Sequence, residues 1–183
     1  YAAERVDIDN YLDYVILQIY VGNNDLLNVR RYRNAVPGDG KWRWALFDLD
    51  WGFWTLDNDT MTRWLHPDGT GTRKVTDNTL FRGLMSNASV REKFFTRFGE
   101  LMNTAFKPEN VIARIDAMQD LIFPEMEWQF ERWGGNYDRW VQYVEKLRKF
   151  ATRRPRYMLS FIQSRMGFTD EQMRAYFGEA LEW

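Results

Sequence analysis

The sequence has no cysteine and only one histidine, His66. The absence of cysteine excludes disulfides, thiolate zinc sites and cysteine nucleophiles, and it leaves the cellular compartment open. A single histidine excludes metal sites built from several imidazoles and most histidine-centred catalysis. Any metal site in this chain would therefore use oxygen ligands, which favours Mg²⁺, Mn²⁺ or Ca²⁺ over softer metals.

An excess of charge of one sign and a long apolar run are also missing. The 25 Lys and Arg side chains are balanced by 26 Asp and Glu, so the chain lacks the basic bias of a dedicated nucleic-acid-binding protein. The longest apolar run, YVILQIYV at 14–21, is far shorter than the ~20 residues that span a bilayer. These features predict one soluble domain over residues 1–183, with no nucleic-acid partner and no membrane span.

The first part of the chain has the pattern of a helix followed by two strands. Asp9 is predicted to be the N-cap of the helix, and Gly22 is predicted to end it. The stretches LLNVRRYRNAV (26–36) and KWRWALFDLD (41–50) are predicted to be strands, joined by the turn signal PGDG (37–40). This arrangement is typical of a small β-hairpin packed beside a helix.

After a polar loop over residues 55–78, the chain is predicted to be helical to its end. Ser89 and Thr169 are predicted to be N-caps, and Pro108 is predicted to start a helix. Pro155 is predicted to separate two helices, because proline removes a helical hydrogen bond. The predicted fold class is therefore α+β and mostly helical, with a small β-hairpin that carries an acidic loop.

The stretch WRWALFDLDWGFW (42–54) places Asp48 and Asp50 among aromatic and apolar residues that otherwise predict a buried strand. A carboxylate buried there without a partner would cost several kcal/mol or undergo a large pKa shift. A metal ion, a hydrogen-bonding turn or a cationic partner would offset that cost. The pair is therefore a candidate functional site.

The order of the polar motifs suggests what that site does. GNNDLLN (22–28) follows a helix, and FDLDWG (47–52) follows a hairpin, which is the order of the C-terminal lobe of protein kinases. On this hypothesis Asp25 is the catalytic carboxylate, Asn28 a metal ligand and Asp48 the principal Mg²⁺ ligand. Asp50 is either a second metal ligand or a structural acceptor. No H-R-D triplet precedes the first motif, and DLD stands in place of DFG.

The motif GNND, followed by Asn28, Tyr32 and GKWRWALFDLDWGF, resembles the spore-coat protein kinase (CotH) family. The resemblance implies a protein-kinase-like C-lobe that uses ATP with Mg²⁺ or Mn²⁺ to phosphorylate Ser on a protein substrate, in a bacterial coat or at a cell surface. By position, Asp25 resembles the catalytic Asp of the family and Asp48 its metal-binding Asp. Asn28 is the corresponding candidate for a further metal ligand that also contacts the nucleotide.

Only 24 residues precede Asp25. That is too few for a nucleotide-binding lobe with a glycine-rich cover and a phosphate-pairing lysine. We therefore expect a C-terminal lobe without its partner lobe, which alone binds ATP weakly and transfers no phosphate.

Two other functions stay open at this stage. One is a non-catalytic structural module of a coat or cell-surface assembly. The other is a carbohydrate-binding module, because the chain has nine tryptophans, although most aromatic residues are predicted to lie in the core. The segment HPDGTGTRK (66–74) is either a phosphate-binding loop or a solvated one. A basic run is either a partner-binding surface or a solvated helix face; its members are Arg148, Lys149, Arg153, Arg154 and Arg156.

Overall fold

The computed structural model describes residues 1–25, 28–34, 38–66 and 78–183. Within these residues the fold is mostly helical, with one two-stranded antiparallel sheet, as the sequence predicts. The helices and strands, in chain order, are α1 (Ala2–Arg5), α2 (Ile8–Val21), β1 (Arg30–Tyr32), β2 (Arg43–Ala45), α3 (Thr60–Leu65), α4 (Thr79–Met85), α5 (Ala88–Met102), α6 (Pro108–Ile122), α7 (Met126–Trp133), α8 (Tyr137–Met166) and α9 (Asp170–Phe177). Short 3₁₀ turns follow α6 (Phe123–Glu125) and α9 (Gly178–Glu182).

Helix α2 is the central element of the core. Its N-cap is Asp7, whose carboxylate accepts from the backbone N–H of Asn10, so the prediction of Asp9 was wrong. Asp9 instead lies in the first turn and forms an ion pair with Lys93 of α5. The helix ends at Gly22 in the left-handed conformation, as predicted, with φ of 68°.

The β-hairpin is much shorter than the sequence predicts. Strands β1 and β2 pair antiparallel, with Arg31 opposite Trp44. On its other side β2 is held by the start of the chain, since Trp42 exchanges backbone hydrogen bonds with Arg5 and Asp7. Pairing stops at Ala45, so the segment that carries Asp48 and Asp50 is a loop and not a strand.

The hydrophobic core lies between α2, α4, α5, α8 and α9 and is rich in aromatic side chains. Fully buried members include Ile16, Ile19, Phe81, Phe94, Phe98, Met158 and Phe177. Two helices of this core approach each other closely at Gly99 of α5, where an added Cβ would lie 1.8 Å from the carbonyl oxygen of Tyr176. Only glycine therefore allows α5 and α9 to pack at this distance.

Helix α8 continues through Pro155, so the prediction that this proline separates two helices was wrong. The residues on both sides of this proline are buried, among them Ala151, Met158 and Ile162. Packing of this continuous apolar stripe offsets the loss of one helical hydrogen bond.

The remaining capping predictions have mixed outcomes. Thr169 caps α9 with Gln172 in a reciprocal capping box, and Pro108 starts α6, both as predicted. Helix α5 begins one residue before Ser89, because the side chain of Asn87 accepts from the backbone N–H groups of Ser89 and Val90.

The predicted loop 55–78 contains α3, which is capped by Asp59. Residues 67–77, with most of HPDGTGTRK, lie outside the described residues.

Helices α6 and α7 have no buried residues and form, with the start of α8, a helical arm. This arm exposes large apolar side chains, including Leu121, Trp128 and Trp133.

Of the nine tryptophans only Trp64 is buried, so the prediction that the aromatic residues are mostly core was wrong for tryptophan. None of the helices in the described part of the chain is long and apolar enough to cross a membrane.

Candidate functional site

The loop that contains Asp25 is shaped by the buried side chain of Asn23. The amide nitrogen of Asn23 donates to the Gln18 side chain at 2.8 Å and to the backbone carbonyl of Asp25 at 2.9 Å. Its oxygen accepts from the backbone N–H of Asp25 at 3.0 Å. Because Asn23 is anchored to α2 through Gln18, the backbone at Asp25 is fixed relative to the end of that helix.

The loop that contains Asp48 turns sharply at two residues with positive φ. Asp48 has φ of 54° and Phe53 has φ of 58°, values that are uncommon for residues other than glycine. Gly52 lies between them and packs against α2, where a Cβ would lie 3.0 Å from the side chain of Val21. The N–H of Phe53 donates to the carbonyl of Val21 at 2.8 Å. The two loops are therefore joined through the C-terminal end of α2.

The side chain of Asn28 brings the two predicted carboxylates together. Its amide nitrogen donates to Asp48 at 2.8 Å and to Asp25 at 3.1 Å. The carboxylate oxygens of Asp25 and Asp48 therefore lie within two hydrogen-bond lengths of each other, although the residues are far apart in sequence. Three of the four predicted site residues thus form one hydrogen-bonded group.

Asp50 joins this group through Asp48. The two carboxyl groups are close enough to interact electrostatically, and both residues are exposed. The pKa of Asp48 is raised, first by loss of hydration and then by the negative charges of Asp50 and Asp25. Arg30, whose guanidinium lies over the ring of Phe47, opposes the increase. The site therefore concentrates negative charge at Asp48, and a bound cation would relieve it.

The donor set fits a hard cation, but it is not a closed cluster of carboxylates. In the described part of the chain, no three His, Cys, Asp or Glu side chains are arranged to hold a metal ion. What the loops bring together is two carboxylates and one amide, with a third carboxylate beside Asp48. Mg²⁺ commonly takes only one or two protein carboxylates and completes its shell with water and substrate phosphates. A site of that kind is consistent with this arrangement.

A groove between α2 and α5 lies away from these loops. It is lined by charged side chains that are already paired, since Lys93 pairs with Asp9, and Arg97 pairs with Asp13 and Glu100. None of the four predicted site residues lines it. We therefore assign this groove to packing of the two helices.

The model of the CotH kinase protein family matches residues 1–158, which include both acidic loops and the hairpin. The chain belongs to the CotH kinase family. This confirms the resemblance carried by GNND and FDLDWG and makes a kinase-like function the family-level expectation for the chain. No curated protein and no solved structure matches this CotH-family chain.

One residue of the CotH-family chain that supports these loops was not recognised from its sequence. Arg154 belongs to the basic run that was predicted to be solvated or to bind a partner, but it is fully buried behind the end of α2. Arg148 of the same run pairs with Asp116 and Glu145. The available signal was helical spacing, because Arg154 lies four residues from both Phe150 and Met158 on the apolar stripe of α8.

Proposed function

We propose that this chain carries the catalytic and metal-binding loops of a protein-kinase-like phosphotransferase. Asp25 is the catalytic carboxylate, and Asp48 and Asn28 hold Mg²⁺ or Mn²⁺ against the phosphates of ATP. The substrate is a Ser hydroxyl on a protein of a coat or cell surface. Membership of the CotH kinase family and the joining of Asp25 to Asp48 through Asn28 support this proposal.

The chemistry follows from the placement of the carboxylates. The serine oxygen attacks the γ-phosphorus of ATP, the bond to the β–γ bridging oxygen breaks, and ADP leaves. Asp25 accepts the proton of the serine hydroxyl. When bound, the divalent cation neutralises charge on the phosphates. Asp48 and Asn28 would hold that cation, and Asp50 adds negative potential beside Asp48.

We further propose that the described fold acts as the C-terminal lobe of such a kinase. The end of α2 supplies the loop with Asp25, and the hairpin supplies the loop with Asp48. This order along the chain is the one that protein kinases use for their catalytic and metal-binding loops. ATP binding by this chain alone is expected to be weak, because among the described residues the proposed phosphate contacts are limited to these loops.

The test measures Mn²⁺ binding to the purified chain by electron paramagnetic resonance. We expect Asp48→Asn to weaken Mn²⁺ binding by at least about tenfold, since it removes the principal anionic ligand. Asp120→Asn, at an exposed position on α6, is the matched control and should bind as the unaltered chain does. Equal Mn²⁺ affinity for Asp48→Asn and the unaltered chain would contradict the proposal.

A second candidate function is a non-catalytic or carbohydrate-binding module of a surface assembly. The observation that favours it is the exposure of Trp54, Trp128 and Trp133, each at 68% or more. Solvent-exposed apolar surface of this kind marks many interaction sites. Quenching of tryptophan fluorescence by oligosaccharides, unchanged in Asp48→Asn, would support this function in place of phosphoryl transfer.

A further inference from the structure

We propose that Arg154 of α8 is a positioning residue that holds the two acidic loops together. It does so by hydrogen-bonding the end of α2 and the chain that follows Asp50 at the same time. The functional part of this inference rests on the proposed function, because it assigns a purpose to the distance between Asp25 and Asp48. The hydrogen bonds themselves do not depend on that assignment.

The first half of the arrangement is at the C-terminus of α2. Arg154 donates from Nε to the carbonyl of Tyr20 at 2.8 Å and from Nη2 to the carbonyl of Ile19 at 3.0 Å. Carbonyls in the last turn of a helix lack full helical pairing and carry partial negative charge. Of these two, the carbonyl of Ile19 also accepts from the backbone N–H of Gly22 at 3.2 Å. Helix α2 has no basic residue of its own in this turn. Arg154 therefore supplies the cation and the donors directly before the loop of Asp25.

The second half is in the chain that returns from Asp50. Nη1 of Arg154 donates to the carbonyl of Leu56 at 2.6 Å. One guanidinium thus contacts both the end of α2 and the segment after Asp50. The same two segments are also joined by the backbone hydrogen bond from Phe53 to Val21. Because guanidinium is planar and rigid, its donors fix the relative position of the two segments.

The hydroxyl of Thr60 completes the arrangement. It donates to the carbonyl of Ile19 at 2.6 Å and accepts from Nη2 of Arg154 at 3.3 Å. Both Thr60 and Arg154 are fully buried. Gly22 lies against the guanidinium, where a Cβ would be 3.4 Å from Nη2.

The energetic cost of this burial suggests a role beyond stability. In the described part of the chain Arg154 forms no ion pair; carbonyl groups accept its hydrogen bonds, and the negative charges of Asp59 and Asp57 act on it from a greater distance. Burial lowers the pKa of Arg154 to about 10, so it stays protonated at neutral pH. A buried charge is weak evidence for a stabilising role, since an apolar residue often fills such a space at lower cost.

The test compares Arg154→Lys with Arg153→Lys in the same chain. Lysine keeps the charge but cannot donate to both segments in fixed geometry. In the Arg154→Lys variant we expect the backbone amides of Asp25 and Phe53 to exchange with solvent at least about tenfold faster than in the unaltered chain. We also expect this variant to bind Mn²⁺ about tenfold more weakly. Arg153 is exposed on the same turn of α8, and its substitution should change neither quantity.

Thr60→Val provides a second variant if Arg154→Lys does not fold. It removes the hydroxyl that joins Ile19 to the guanidinium and should accelerate exchange at the same two amides, by a smaller factor. The inference is overturned if the Asp25 and Phe53 amides of the folded variants exchange as in the unaltered chain. It is also overturned if exchange accelerates equally in the core of α5, which would show general destabilisation.

The two proposals can fail separately. If the unaltered chain binds no Mn²⁺, the metal site of the proposed function is wrong, and amide exchange still decides whether Arg154 positions the loops. If Mn²⁺ binds to the unaltered chain and equally well to Arg154→Lys, the positioning role is wrong and the metal site stands.

Discussion

The amide nitrogen of Asn28 lies 2.8 Å from a carboxylate oxygen of Asp48, 20 residues further along the chain. The same nitrogen lies 3.1 Å from the carboxylate of Asp25. This shared donor joins the two carboxylates through hydrogen bonds. It makes Asn28 the residue on which the spacing of the proposed catalytic and metal-binding groups depends.

Removal of the shared amide should weaken cation binding. We expect Asn28→Ala to lower the affinity of the chain for Mn²⁺ by about tenfold or more, because Asp25 and Asp48 would repel each other without a common donor. Titration calorimetry with Mn²⁺ measures this loss. Asn34→Ala, at an exposed position beyond β1, is the control and should retain the original affinity. An Asn28→Ala chain that binds Mn²⁺ as tightly as before would exclude this role for Asn28.

The packing of α5 against α9 should not tolerate a side chain at residue 99. In Gly99→Ala the new methyl group would meet the carbonyl of Tyr176, so the helices must separate. We expect the free energy of unfolding to fall by at least about 2 kcal/mol, at the upper part of the range for overpacked cores. Urea denaturation followed by circular dichroism measures the change.

Gly83→Ala is the matched control for that substitution. Gly83 is an exposed residue of α4, and a Cβ there would have no neighbour within 4 Å. Alanine should stabilise the chain by about 0.5–1 kcal/mol, because it has the higher helix propensity. Similar losses of stability for both variants would contradict the close contact at Gly99.

The hairpin should show an acid-dependent contribution to stability. The guanidinium of Arg43 and the backbone N–H of Lys41 hydrogen-bond Asp39 and lower the pKa of its carboxyl to about 2. A carboxyl with a lowered pKa in the folded state stabilises the fold above its unfolded pKa of about 3.9, and this contribution is lost as pH falls toward 2. The difference in denaturation midpoint between the unaltered chain and Asp39→Asn should therefore be constant above about pH 5 and shrink below it.

Denaturation midpoints measured between pH 2 and pH 7 decide this prediction. Asp120→Asn removes the same charge from an exposed position on α6 and controls for the change in net charge. A midpoint difference for Asp39→Asn that is as large at pH 2 as at pH 6 would show that the ion pair is not its source.

Much of the local structure was predictable because its causes lie within a few residues. Gly22 ends α2 because glycine adopts the left-handed conformation at low cost, and Thr169 with Gln172 forms a capping box in any helix of that sequence. The choice of Asp9 over Asp7 failed, because both carboxylates are chemically suited to the cap. Asp9 lies inside the helix and pairs with Lys93 of another helix, which local sequence does not reveal.

By itself the sequence determined several helix ends, at Gly22, Pro108 and Thr169, together with the existence of the hairpin, the family motifs and the oxygen-only chemistry of a candidate metal site. Tertiary structure alone decided that α8 continues through Pro155, that Arg154 is buried, and that Asn28 contacts both Asp25 and Asp48. The physical reason is range. Propensity and capping act over three or four residues, whereas burial and the convergence of carboxylates depend on which segments the folded core brings together.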